Sequence, residues 1–176
     1  LGSTGSIGRQ TLDIIKTFPD KFDLIGLAAG NNVHLLESQI EEFQPKSVYC
    51  IEPSHSIIKN KNIQLMSMEQ MVSQPNVDIV MVATSGNIGL IPTIKALEKS
   101  ITVCIANKEV IIMAGELIKT ISRKSGALLL PVDSEPSAIW QCIRGEESPP
   151  EKLLITASGG PFRDVSVEKL KNVNKN

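Results

Sequence analysis

An excess of charge of either sign is missing from this chain, in which 18 Lys and Arg stand against 19 Asp and Glu. No long-range basic field gathers nucleic acid or an anionic membrane surface, so any anion must be bound locally. Cysteine is sparse and shows no pairing pattern. Cys50, Cys104 and Cys142 are odd in number, widely spaced and set among apolar residues. That excludes a disulfide scaffold or a CxxC site and predicts reduced core thiols in a cytoplasmic protein. No window holds the roughly 18 uninterrupted apolar residues of a membrane span. The first residues also lack the basic-then-apolar order of a signal peptide. Aromatic residues are scarce at 3%, yet 41% hydrophobic and 21% charged residues describe an ordinary globular chain rather than a disordered tail.

A length of 176 residues allows one complete core and part of a second, since domains commonly run to about 100–150 residues. The chain opens at Leu1 without Met, with no room for a strand before its glycine-rich stretch, and closes on the polar "KLKNVNKN". Both ends read as those of a piece of a longer protein.

Apolar runs of strand length alternate with segments of helical period. Residues 22–29, 47–51, 77–83, 101–106, 126–132 and 152–157 are the expected strands, and 6–18, 33–43, 88–100 and 109–125 the expected helices. The less regular 52–76 reads as a short helix, a short strand and a second short helix. Repeated β-α units with near-continuous Val, Ile, Leu and Ala predict an α/β, Rossmann-like, doubly wound, mostly parallel sheet covered by helices. "RGEESPPEK", 144–152, reads as an exposed loop.

Several strand ends carry residues that packing does not call for. "GSTGSIG" opens directly into an amphipathic helix. Its glycines at 2, 5 and 8 let backbone N–H groups approach an anion at the helix N-terminus, and a pyrophosphate is the natural occupant. The spacing is GxxGxxG rather than GxGxxG, so a simple capping turn remains an alternative. An NAD site wants an acid about 20 residues on to accept from the ribose 2′-OH. Here the next strand ends in Gly30-Asn31-Asn32. With no acid to repel a 2′-phosphate, NADP is favoured over NAD, although Asn31-Asn32 also fits a turn and helix cap.

"ANKE" sets Asn107, Lys108 and Glu109 at another strand end, where open α/β sheets bind ligands. Glu109 suits a helix start, whereas Lys108 opposes the dipole there and points to a site role. In "PVDSEPSAI", an extended backbone would turn Asp133 and Glu135 to the same side and Ser134 away. Oxygen-only ligands suit Mg²⁺ or Mn²⁺, while Pro136 and the preceding acids fit a helix cap equally well. "SGG" at 158–160 can present N–H groups to a phosphate or serve as a flexible turn.

Taken in order, "GSTGSIG", "AAGNN", "ANKE", "PVDSE.SAI.Q" and "SGGPFR" resemble the 1-deoxy-D-xylulose 5-phosphate reductoisomerase family along essentially the whole chain. The resemblance implies that Thr4, Gly5, Ser6, Ile7, Gly30, Asn31, Asn32, Asn107 and Glu109 contact NADPH. It implies that Lys108, Ser134, Glu135 and Ser158 contact the sugar phosphate, and that Asp133 and Glu135 ligate Mg²⁺ or Mn²⁺. Lys108, Asp133 and Glu135 would then be the catalytic residues. It further implies an NADPH domain over 1–132, the start of an α+β catalytic domain over 133–176, and a homodimer at full length, with no nucleic-acid or membrane partner. Two departures stand out. Pro136 occupies a place where the family commonly has His, and the chain stops before the downstream loop, the later His and a third carboxylate ligand. The isolated chain is therefore expected to be inactive. Another two-domain NADP-dependent dehydrogenase, such as a semialdehyde dehydrogenase, would want a nucleophilic cysteine in a polar loop. A non-catalytic dinucleotide-binding module would leave Asp133-Ser134-Glu135 with nothing to do but cap a helix. His34 and His55 read as surface residues, and Trp140 and the methionines as packing.

Overall fold

A computed structural model describes residues 1–154 and 162–174, in two compact units, Leu1–Cys142 and Ile143–Asn176. The first unit holds six strands in two three-stranded parallel sheets. β1 (Gly26–Ala28), β2 (Ser47–Tyr49) and β3 (Gln64–Leu65) form one, and β4 (Ile79–Val82), β5 (Thr102–Ile105) and β6 (Leu129–Pro131) the other. Leu1 and Gly2 join them. The main-chain nitrogen of Leu1 donates to Met81 O at 2.7 Å, Ala83 N donates to Leu1 O at 2.9 Å, and Gly2 N donates to Ala28 O at 2.8 Å. The spatial order is thus β3-β2-β1, then Leu1–Gly2, then β4-β5-β6, the doubly wound arrangement expected.

The helices cover this sheet because their apolar stripes match its faces. On α6 (Lys108–Ser125), Val110 and Ile118 are buried, and Ala114 and Ile121 pack beside Val82, Leu97 and Val103. The four- and three-residue spacing keeps that stripe on one side. α6 kinks at Ala114 (φ −142°, ψ 23°) and ends at Gly126 in the left-handed region, where glycine carries no Cβ penalty. α1 (Ser6–Thr17) and α2 (Val33–Phe43) supply Leu12, Leu36 and Ile40 to a second cluster with Leu27 and Val48.

Residues 52–76 contain α3 (His55–Lys59), β3 and α4 (Met68–Met71), in the expected order. β1, β2, β4, β5 and β6 are each shorter than the apolar run that predicts them. Residues 22–25 are not in a strand, because β1 pairs only from Gly26 opposite Ser47. The expected helix over 88–100 begins as a 3-10 turn at Gly86–Gly89 and becomes α5 only at Leu90–Glu98, with Pro92 in its first turn, where the missing N–H costs nothing.

The segment after β6 departs most from expectation. Asp133 and Glu135 are not on an extended backbone, because α7 spans Ser134–Ile143 and Ser137 N already donates to Asp133 O at 2.9 Å. Cys142 is exposed rather than a core thiol, since no residue of α7 is buried. In the second unit, residues 144–152 are an exposed loop as expected, but 152–154 are not a strand. The rest of that expected strand, 155–157, and Ser158 of the SGG turn lie outside the described residues. A short helix, α8, follows at Val167–Leu170.

Close packing sets a test for the glycine turn. A Cβ on Gly8 would sit 2.1 Å from Gly2 O and 2.6 Å from Ser3 Cα, whereas one on Gly30 would meet nothing within 4 Å. Gly8→Ala is expected to lower stability by about 1–3 kcal/mol and Gly30→Ala to leave it within about 0.5 kcal/mol. Urea denaturation measures both.

Candidate active site

Because the strands are parallel, the carboxyl ends of β1, β4, β5 and β6 share one edge of the first unit. The glycine turn leaves the sheet at that same edge, directly after Leu1. Gly2 adopts φ +86°, and a Cβ there would lie 2.4 Å from Ala83 O. Gly5 N donates to Gly2 O at 3.1 Å and Arg9 N to Gly5 O at 3.0 Å, which closes the turn into α1. That helix starts with no side-chain cap and no acid in its first turn. Its leading amides are left for an outside acceptor.

The turn is also held from α2. Buried Gln39 donates from Nε2 to Ser3 O at 3.0 Å. Ser3 Oγ and Gln39 Oε1 are buried without a hydrogen-bond partner among the described residues, and buried polar atoms of this kind are normally satisfied. A cradle without room for a Cβ at Gly2 or Gly8, uncapped helix amides and orphaned polar atoms fits a pyrophosphate-bearing cofactor. A groove of about 480 Å³ between α1 and α2 reaches Ser6 and Gln39. A larger one, about 700 Å³, is lined by Gln64, Met66 and Gln74 and includes none of these residues. The chemistry of the strand ends carries more weight here than size.

Gly30, Asn31 and Asn32 are exposed just beyond β1. Asn32 caps α2, with Oδ1 accepting from Leu35 N at 3.3 Å. The capping reading therefore holds for Asn32, and its Nδ2 remains a donor with no acid beside it in sequence. Thr4 and Ile7 are half-buried, and Ser6 is exposed with its Oγ accepting from Gln10 Nε2 at 3.2 Å.

At the end of β5, Asn107 is buried and saturated. Oδ1 accepts from Val110 N at 3.0 Å, and Nδ2 donates to Thr84 Oγ1 at 3.1 Å and to Gly86 O at 3.0 Å. Its side chain has no donor left for a cofactor. Lys108 and Glu109 follow as exposed residues in the first turn of α6. Glu109 suits the positive helix end, while the charge of Lys108 opposes it.

Sequence reasoning missed the 83–89 segment that Asn107 grips. Thr84 and Gly86 bond to it, Gly86 adopts φ +64°, and a Cβ on Gly89 would lie 2.4 Å from Thr84 Oγ1. The available signal was "TSGN", a polar run with glycine directly after an apolar strand, the same pattern that marks "ANKE".

At the end of β6, Asp133 is half-buried and Ser134 and Glu135 are exposed in the first turn of α7. Two oxygen-donor side chains suit a hard divalent cation. Among the described residues, no group of three or more His, Cys, Asp and Glu is placed to hold a metal, so this pair offers part of a coordination shell. His34 and His55 are exposed, as expected. Among the described residues no helix is long and apolar enough to cross a membrane.

Known proteins resemble this chain in sequence and in fold. The model of the 1-deoxy-D-xylulose 5-phosphate reductoisomerase family matches residues 1–115, and that of the family's C-terminal domain matches residues 129–176. The 1-deoxy-D-xylulose 5-phosphate reductoisomerase of Thermoanaerobacter pseudethanolicus is 44% identical, over 100% of this chain and 48% of its own. That of Pelotomaculum thermopropionicum is 42% identical over 98% and 48%. Among solved structures, the reductoisomerase from Zymomonas mobilis in complex with NADPH aligns with a TM-score of 0.81 and 34% identity, over 97% of this chain and 47% of that one. A reductoisomerase in complex with NADPH, fosmidomycin and magnesium gives 0.82 and 31%, over 98% and 47%. The chain spans about half the length of the curated relatives it matches.

The thiols distinguish this site from that of a cysteine-dependent dehydrogenase. Cys104 lies within β5 and Cys50 is buried, and burial pushes both thiols up from their ordinary values. A raised pKa leaves less thiolate at neutral pH. Alkylation of the folded chain at pH 7 is expected to modify Cys142 first and the other two only slowly, as peptide mass mapping over time would register.

Proposed function

Because the chain belongs to the 1-deoxy-D-xylulose 5-phosphate reductoisomerase family, we propose that the whole protein converts 1-deoxy-D-xylulose 5-phosphate to 2-C-methyl-D-erythritol 4-phosphate. It does so with NADPH and Mg²⁺ or Mn²⁺, in the non-mevalonate synthesis of isoprenoid precursors. The reaction rearranges the carbon skeleton to a branched aldehyde and then reduces it. The observation that carries this reading is the convergence, on one sheet edge, of an uncapped glycine turn, an acid-free second loop, Lys108 and an Asp-Ser-Glu triplet.

The residues divide the work by their chemistry. Thr4, Gly5, Ser6 and Ile7 bring the amides of α1 to the cofactor's pyrophosphate. Gly30, Asn31 and Asn32 offer donors to its 2′-phosphate. Asn107 contributes by holding the start of α6, and Glu109 stands next to Lys108 on the cofactor side. Lys108 adds positive charge beside the reacting oxygens of the sugar. Ser134 and Ser158 hold the sugar phosphate by their hydroxyls, and Glu135 contacts it as well. Asp133 and Glu135 hold the cation. NADPH, when bound, supplies the hydride, and the cation, when bound, polarises carbonyl and hydroxyl oxygens. In this reading residues 1–132 serve the cofactor and residues 133–176 begin the part that serves metal and substrate. The protein works in the cytoplasm as a homodimer, on a small-molecule substrate, and the 176 residues alone do not turn over.

Two measurements on the full-length protein test this. Asp133→Asn and Glu135→Gln are each expected to lower turnover by about a thousandfold or more while NADPH affinity, followed by fluorescence, changes less than about twofold. Retention of activity in both variants would leave these residues as helix-start acids only. NADPH is expected to bind about 10–100-fold more tightly than NADH, the worth of one or two charge-assisted hydrogen bonds. Asn31→Asp should narrow that ratio, because a carboxylate accepts from a ribose hydroxyl and repels a phosphate.

A further inference from the structure

The 83–86 segment touches both halves of the candidate site. On one side it packs against the glycine turn so closely that a Cβ on Gly2 would lie 2.4 Å from Ala83 O and 2.8 Å from Thr84 N. On the other side Thr84 Oγ1 and Gly86 O take both hydrogens of the Asn107 amide, whose Oδ1 caps α6 through Val110 N. Asn107 is only 2% exposed, so water does not readily replace a lost partner. A Cβ on Gly89 would lie 2.4 Å from Thr84 Oγ1 and 3.3 Å from Asn107 Nδ2, so the lack of a side chain there leaves room for the hydroxyl and the amide to meet. Lys108 is the next residue after Asn107.

The geometry points to Thr84 as a positioning residue that acts through Asn107 to fix the first turn of α6, and with it Lys108, relative to the cofactor turn. The inference rests on the reductoisomerase reading for what Lys108 does, and on the hydrogen bonds alone for how Lys108 is held. Replacing the hydroxyl by a methyl leaves one buried amide hydrogen unpaired and frees the helix start. The packing of Ala83 against Gly2 is made by backbone and survives the change.

Thr84→Val and Thr84→Ser in the full-length protein provide the test, with Thr84→Ala as a second loss of the acceptor should the valine variant not fold. Thr84→Val is expected to lower kcat about tenfold, the effect of one buried hydrogen bond, with NADPH affinity within about twofold, and Thr84→Ser is expected to restore kcat. Hydrogen exchange of the peptide spanning residues 107–112 should accelerate about tenfold in Thr84→Val relative to the rest of the sheet. Unchanged kcat in both the valine and alanine variants overturns the proposal. So does an equal loss in Thr84→Ser, or a fall in NADPH affinity that matches the fall in kcat. If the unaltered protein does not turn over the sugar phosphate, the functional reading fails. The exchange measurement still decides the clamp, and unaltered exchange in 107–112 overturns it.

Discussion

Two residues at the start of the chain decide whether this molecule has one sheet or two. β1 and β4 do not pair with each other, and only the backbone of Leu1 and Gly2 lies between them, bonded to Ala28 on one side and to Met81 and Ala83 on the other. That bridge sets the direction in which the chain must leave the sheet. It must turn within a few residues into α1, since Arg9 already belongs to the helical ladder through Gly5 O. The absence of side chains at Gly2 and Gly8 follows from this constraint, because neighbouring backbone occupies the space each Cβ would need. Gly5 is under no such pressure, with its nearest neighbour at 3.4 Å. Its openness leaves the approach to the α1 amides clear.

With the sheet assembled in this way, the polar strand ends fall along one edge without further design, and the electrostatics of that edge follow. Two long helices, α1 and α6, start there with the positive ends of their dipoles outward, and α1 carries no side-chain cap on its leading amides. Gly30-Asn31-Asn32 adds donors and no carboxylate. Glu109, Asp133 and Glu135 stand on the same edge, so positive helix ends and carboxylates share it while the chain as a whole is almost neutral. Lys108 costs a few tenths of a kcal/mol to about 1 kcal/mol at a helix N-terminus, a cost that an anion bound beside it would offset.

Periodicity in the sequence was enough to locate α1, α2, α5 and α6 and five of the six strands of the first unit, because burial on one face writes itself into local spacing. Strand lengths were not legible. An apolar run such as residues 22–29 continues past the point where a pairing partner exists, and only the partner, Ser47 opposite Gly26, ends the strand. The Thr84–Asn107 contact was illegible for a related reason, as it joins positions 23 apart and no short pattern records it. Cys142 misled because an apolar neighbourhood in sequence resembles a buried one, while α7 keeps no residue buried. The candidate site residues were legible one strand end at a time. Their gathering on one edge required the topology.

With α7 beginning at Ser134, a helix-start role and a metal role for Asp133 and Glu135 are compatible with each other. Both acids lie within a residue or two of a helix N-terminus, with Asp133 O accepting from Ser137 N. The positive end of the dipole favours each carboxylate by about 0.3–1 kcal/mol, and Pro136 fits the first turn because no partner is needed for a missing N–H. The helix start therefore offsets part of the repulsion between two neighbouring acids before any cation arrives. Two acids set at a helix start would meet a divalent ion with less reorganisation than a pair on a mobile loop, and oxygen donors favour a hard cation. In this chain the acids that suit a helix start are the same ones proposed to hold the cation, so one pair of carboxylates would serve both ends.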